Sequence, residues 1–183
     1  MSRRTAPFIL LAVVLTLALA GSAPAREAIR GPNYRTSAPT GWHIDKRNGG
    51  GWNTVTITPP SHVSNGRDTA LVSIAVAPVS RIKRLSGGVK ASDKAGLVKR
   101  LISIPRNSAN LNVARPPSPT RFAGKPAMTY SVNYTFTGHG TVHTATLVRR
   151  GKRMYMIQVI TDEDVTLLGG SAVDTIRDSW RWK

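Results

Sequence analysis

Met128-Thr129-Tyr130-Ser131-Val132-Asn133-Tyr134-Thr135-Phe136 places an apolar side chain on every even position and a hydroxyl or amide between each pair. That period of two belongs to a strand with one face in a core. Gly138-His139-Gly140 interrupts it, and Thr141 to Arg149, with Val142, Leu147 and Val148, is a second β-rich run. The pair predicts a hairpin with a three-residue loop. Gly151-Lys152 turns the chain again. Met154 to Ile160 is apolar on both faces apart from Gln158, as expected of a strand at the centre of a sheet covered on each side. The three strands form a meander.

Working outward, Trp52 to Thr58 and Ala70 to Val79 are further strand candidates, separated by the loop signals Pro59-Pro60-Ser61 and Asn65-Gly66. Two segments have helical spacing instead. Ser92 is placed to cap a helix whose Leu97, Val98, Leu101 and Ile102 share one stripe, while Lys94, Lys99 and Arg100 stay in water; Pro105 ends it. Ala172, Val173, Ile176 and Trp180 mark a C-terminal stripe, with Gly169-Gly170 read as a bend or a late helix start. Pro116-Pro117-Ser118-Pro119 reads as a loop within the domain. The order predicts an α+β fold, an antiparallel sheet with helices packed on its faces.

The chain has 183 residues, so residues 26–183 are expected to form a single domain. At the N-terminus Arg3 and Arg4 precede an uncharged run from Phe8 to Ala20, and Ala23-Pro24-Ala25 offers a small-x-small cleavage pattern. Residues 1–25 therefore read as a signal peptide cleaved before Arg26, the run being short for a membrane span. Thr5-Ala6-Pro7 lacks the apolar residues expected after a twin-arginine signal, so the general export route is preferred. A secreted or periplasmic location follows, without a transmembrane segment after cleavage, and nucleic acid becomes a poor candidate partner. Cysteine is absent, which excludes disulfides, thiolate nucleophiles and cysteine metal sites.

Against 26 Lys and Arg stand 9 Asp and Glu, for a formal charge of +17. Removing the leader takes away two arginines and leaves the basicity in place. The charge is uneven: residues 162–183 alone carry more acids than bases, five against three. Arg149, Arg150, Lys152 and Arg153 crowd the Gly151 turn, and Arg81, Lys83 and Arg84 crowd a segment expected to be another loop. Like charges repel, and an anionic partner would relieve both clusters. The alternative is a generally basic surface that keeps the protein soluble. These seven residues are the candidate binding site.

Signals of catalysis are mostly missing. No G-x-S-x-G, phosphate loop, H-E-x-x-H or calcium loop occurs. Ser80-Arg81-Ile82-Lys83 matches S-x-x-K, but the companion S-D-N and K-T-G motifs are absent, and a solvated loop is the expected setting. His139 and His143 fall on one strand face without a third ligand nearby, so no metal and no cofactor is expected. Asp162-Glu163-Asp164 read as cap and dipole partners of the last helix. The polar row Thr129, Ser131, Asn133 and Thr135 reads as the wet side of a sheet, with a glycan-binding face as the alternative. Tyr34, Trp42 and Trp52 read as core or its lid, with a ligand platform as the alternative.

Three stretches carry a family resemblance. Tyr34-Arg35-Thr36-Ser37-Ala38-Pro39-Thr40-Gly41-Trp42, followed by Trp52 to Pro59, resembles the opening of PsbP-like proteins. Phe122-Ala123-Gly124-Lys125-Pro126-Ala127 is similar to the Gly-x-Pro-Ala lead-in of that superfamily, and Ile176-Arg177-Asp178-Ser179-Trp180 resembles its closing helix. The resemblance implies a small exported α/β/α sandwich, like bacterial envelope proteins of the DcrB and LpqN kind, which mostly act in binding or assembly. It carries over no catalytic residue and gives no support to a photosystem role. The expected function is that of a non-catalytic binding or assembly accessory of the cell envelope. Its expected partner is an anionic envelope polymer, lipid head groups or an acidic protein. The competing class is a hydrolase of envelope polymers with a non-motif active site.

Overall fold

The computed structural model describes residues 26–60 and 70–183. The expected signal peptide and the Asn65-Gly66 loop signal lie outside the described residues. The strands are β1 (Ala28–Gly31), β2 (Tyr34–Ser37), β3 (His43–Gly49), β4 (Trp52–Thr58), β5 (Ala70–Pro78), β6 (Ala109–Phe122), β7 (Lys125–Phe136), β8 (His139–Arg150), β9 (Arg153–Asp162) and β10 (Arg181–Trp182). The helices are α1 (Val79–Leu85), α2 (Lys94–Leu101) and α3 (Thr166–Ser179).

The alternating run lies in β7, and β7, β8 and β9 form the expected meander. They belong to a seven-stranded antiparallel sheet of order β3-β4-β5-β9-β8-β7-β6, so β9 is the central strand. Its double-sided apolarity follows: Tyr155 and Ile157 enter one core and Met154 and Met156 the other. A small sheet of order β1-β2-β10 lies with α3 on the first face, where Tyr34, Ile176 and Trp180 meet Ile57, Val72 and Ile74. On the second face Ile82 of α1 and Leu97 and Val98 of α2 cover Tyr130, Val132 and Leu147. The architecture is an α+β sandwich with helices on both faces of an antiparallel sheet.

Several local expectations change. The β7–β8 connection is a two-residue turn, Thr137-Gly138, not a three-residue loop: Phe136 pairs with His139, and both turn residues have positive φ, 50° and 84°. Primed two-residue turns of that kind match the twist of the strands they join. Asp93, not Ser92, caps α2, its carboxylate accepting from the Gly96 N–H at 2.8 Å. The run at 116–119 is strand, not loop. β6 lies at the sheet edge, where a proline's missing N–H costs no ladder bond, and its register is broken by bulges along this stretch. Gly169-Gly170 lie inside α3, whose start at Thr166 precedes them.

The 162–164 acids do not cap α3 through their side chains. Glu163 and Asp164 sit in a single 3-10 turn ahead of it, and Val165, which offers no side-chain bond, is the N-cap residue. Tyr34 and Trp42 are buried in one core, while Trp52 packs against the other, so they form no common platform.

Candidate functional site

Arg81, Lys83 and Arg84 lie on a helix, where a loop was expected. Burial of Ile82 and the bonds from the Ser86 hydroxyl to the Ile82 and Lys83 carbonyls, 2.8 and 3.3 Å, close α1 directly after β5. Lys83 and Arg84 occupy its last turn, where the exposed carbonyls favour positive charge. Ser80 therefore does open a helix, but both Ser80 and Lys83 are exposed, and the companion motifs stay absent.

The two basic clusters are adjacent. Pro78 pairs with Arg153 at the end of the β5–β9 ladder, and the Val79 N–H donates to the Lys152 carbonyl at 2.9 Å. This bond joins the first residue of α1 to the β8–β9 turn, in which Arg150 and Arg153 face one another across Gly151-Lys152. Arg81, Lys83, Arg84, Arg149 and Lys152 are exposed, and Arg150 and Arg153 are half-buried. The ion pairs among the described residues join Arg47 to Asp45 and Arg177 to Asp174 and Asp178, so none neutralises this surface.

Arg150 differs from the others. Its guanidinium donates to the Asn33 carbonyl at 2.9 Å and lies 5.2 Å from the Trp182 ring centre. The Lys183 N–H reaches the same carbonyl at 3.0 Å, and the Tyr155 hydroxyl donates to the Pro32 carbonyl at 3.1 Å. The β1–β2 turn is thereby stitched to the end of the large sheet.

Local clustering misses a further basic group. Arg30 and Arg181 each pair directly with Arg35 across the small sheet, which puts three guanidinium groups in one row. They are far apart in sequence, and only the strand register brings them together. The signal present in the sequence was weak: each arginine directly follows a large apolar residue, Ile29, Tyr34 or Trp180.

The polar row of β7 is less open than a glycan platform requires. Thr129 and Ser131 are buried, Ser131 Oγ lies 2.8 Å from Thr144 Oγ1, and Thr129 Oγ1 donates to the Ala145 carbonyl at 3.3 Å. It is not a fully wet face either, for its hydroxyls bond across to β8. His143 is fully buried, with Nε2 2.9 Å from Gln158 Oε1. Burial pushes its pKa below the usual value, partly offset by the Gln158 bond. Among the described residues no three His, Asp or Glu side chains gather as metal ligands. His43 and Asp45 do share a hollow of about 420 Å³ at the edge formed by β3, lined also by Arg47, Thr56 and Thr58. Asp45 is held by Arg47 at 2.6 Å, and the 162–164 acids do not line this hollow.

The arrangement of layers matches solved structures. The solution structure of cyanobacterial PsbP (CyanoP) from Synechocystis sp. PCC 6803 superposes with a TM-score of 0.60 at 12% identity, covering 90% of this chain and 96% of that one. The fold is PsbP-like. A Bacteroides thetaiotaomicron crystal structure superposes with a TM-score of 0.56 at 9% identity, covering 88% of this chain but 49% of that one. LpqN of Mycobacterium tuberculosis, described as involved in cell envelope biogenesis, gives 0.46 at 10% identity over 85% of this chain and 89% of its own. No family model and no curated protein matches the sequence. The PsbP-like likeness thus rests on the arrangement of elements. Among the described residues no helix is long and apolar enough to cross a membrane.

Proposed function

We propose that this PsbP-like protein is an exported, non-catalytic binding or assembly accessory of the cell envelope, which meets an anionic partner through α1 and the β8–β9 turn. The observation that carries this reading is the Val79–Lys152 backbone bond, which merges two basic segments into one surface that no described carboxylate neutralises. Exposed cations so placed repel one another, and an anion that settles among them recovers that energy. The hydrolase alternative needs a nucleophile and a base converging in a cleft. The hollow at β3 places the His43 imidazole beside two threonine hydroxyls and a carboxylate already paired with Arg47, and the 162–164 acids do not line it.

The test is retention on an isolated envelope fraction as salt is raised. Binding is expected to fall steeply with ionic strength, since exposed charges are screened within about 8–10 Å at physiological salt. A variant carrying Arg81→Gln, Lys83→Gln, Arg149→Gln and Lys152→Gln should lose retention. A charge-matched control with Arg106, Arg115, Arg121 and Lys125 changed to Gln should keep most of it. Equal loss in both, or retention indifferent to salt, would overturn the proposal.

A further inference from the structure

We propose that the outer face of the three-stranded sheet is a second, discrete site, built for a phosphate group. Arg30, Arg35 and Arg181 stand directly opposite one another on β1, β2 and β10, and all three are exposed. Lys183 lies two residues beyond Arg181, and these four cations line one hollow of about 550 Å³. None of the residues lining it is acidic. Like charges directly opposite on neighbouring strands are destabilising, and here the repulsion occurs twice across adjacent strand pairs.

The hollow is shaped as well as charged. Ala28 pairs with Ser37 beside the arginine row, so small side chains leave its floor open. The floor is also held rigidly. Thr36 Oγ1 donates to the Ile176 carbonyl at 2.6 Å and lies 2.8 Å from Ser179 Oγ, which accepts from the Ser37 N–H at 3.0 Å. Arg181 Nη1 donates to the Asp178 and Trp180 carbonyls, 2.9 and 2.8 Å, which fixes the side chain without cancelling its charge. A row of planar N–H forks with a lysine beside it suits a tetrahedral anion with several acceptor oxygens better than a single carboxylate. A phosphate ester in solution and a phospholipid head group present that same chemistry.

The test has two arms. The protein is titrated with glycerol 3-phosphate by calorimetry, and sedimented with phosphatidylglycerol vesicles against phosphatidylcholine vesicles. Saturable binding of one glycerol 3-phosphate per chain identifies a soluble ester as sufficient. Binding to phosphatidylglycerol vesicles alone identifies a head group at a surface. Either is expected to weaken at least about tenfold in Arg35→Gln/Arg181→Gln, since charge-assisted bonds are the strong ones. Arg35→Lys, which keeps the charge without the fork, should fall between the two. The four-residue variant of the α1 and β8–β9 surface should bind as the parent does, which separates failure of this site from failure of the envelope-binding reading. Absence of saturable binding in both arms, or equal loss in the two variant sets, overturns the proposal. Arg181→Gln gives up the bonds to the Asp178 and Trp180 carbonyls, so Arg35→Gln alone, an exposed change that breaks no such bond, is the folding control: its thermal unfolding should stay unchanged or rise while its binding falls.

Discussion

The indole of Trp180 lies stacked on the phenol ring of Tyr34, centroids 4.3 Å apart and planes within 6°. Phe122 and Trp182 close edge-on against Trp180, at 5.0 and 5.1 Å. The N-terminal hairpin and the end of α3 are thus welded into one aromatic cluster over the large sheet. Trp180→Ala should lower unfolding free energy by about 3–5 kcal/mol, as for other buried aromatic truncations, measured by urea denaturation. Trp180→Phe should cost less, because the stack persists and the buried indole N–H has no partner to lose. A double-mutant cycle with Tyr34→Ala should return a coupling of about 0.5–1.5 kcal/mol.

Neighbouring glycines of α3 should respond in opposite ways. A Cβ on Gly169 would come within 2.2 Å of Thr161 Cγ2 on β9, whereas one on Gly170 meets nothing within 4 Å. Gly169→Ala is expected to push the helix off the sheet and destabilise by about 1–3 kcal/mol. Gly170→Ala should stabilise by up to about 1 kcal/mol through helix propensity. Thermal unfolding of the two variants checks both signs.

His143 makes stability depend on pH. Its folded-state pKa lies below the usual 6.5 because burial disfavours the charged ring. The unfolded chain therefore binds the proton more readily, and its share of stability is complete above the unfolded value and lost as pH falls below it. Urea midpoints should drop as pH is lowered from about 7.5 toward 5.5, a window in which few carboxylates titrate. His143→Gln should flatten that slope, whatever its effect at neutral pH.

Arg150 should behave unlike Arg149 although they are adjacent. Arg150 holds the Asn33 carbonyl and lies over Trp182, while Arg149 is exposed and pairs with Met154 only through the backbone. Arg150→Ala is expected to cost about 1–2 kcal/mol, from a charged hydrogen bond and a cation–π contact that are both weakened by partial exposure. Arg149→Ala should leave stability within about 0.5 kcal/mol. Denaturant midpoints measured side by side decide it.

Much of the fold was legible locally. The meander follows from strict alternation in β7 and double-sided apolarity in β9, signals that depend on neighbouring residues alone. Helix α1 was hidden because it spans seven residues, buries only Ile82 and follows a strand directly. No helical period can establish itself in so short a run. Strand β6 was hidden by Pro116, Pro117 and Pro119, which bar a central strand but not an edge with bulges. The basic turn at Gly151 was visible in sequence. Its union with α1 depends on the β5–β9 pairing, which sets Pro78 against Arg153, and on the backbone bond between Val79 and Lys152.

Net charge, the lack of thiol chemistry and the alternating strands belong to the linear chain, since composition and short-range periodicity need no partner segment. Which cations stand side by side does not. Arg30, Arg35 and Arg181 become neighbours only through pairing of strands from the two ends of the domain. Strand register is set by burial of Ile29, Tyr34 and Trp180 against the large sheet, and a one-residue slip would turn each arginine to the opposite face.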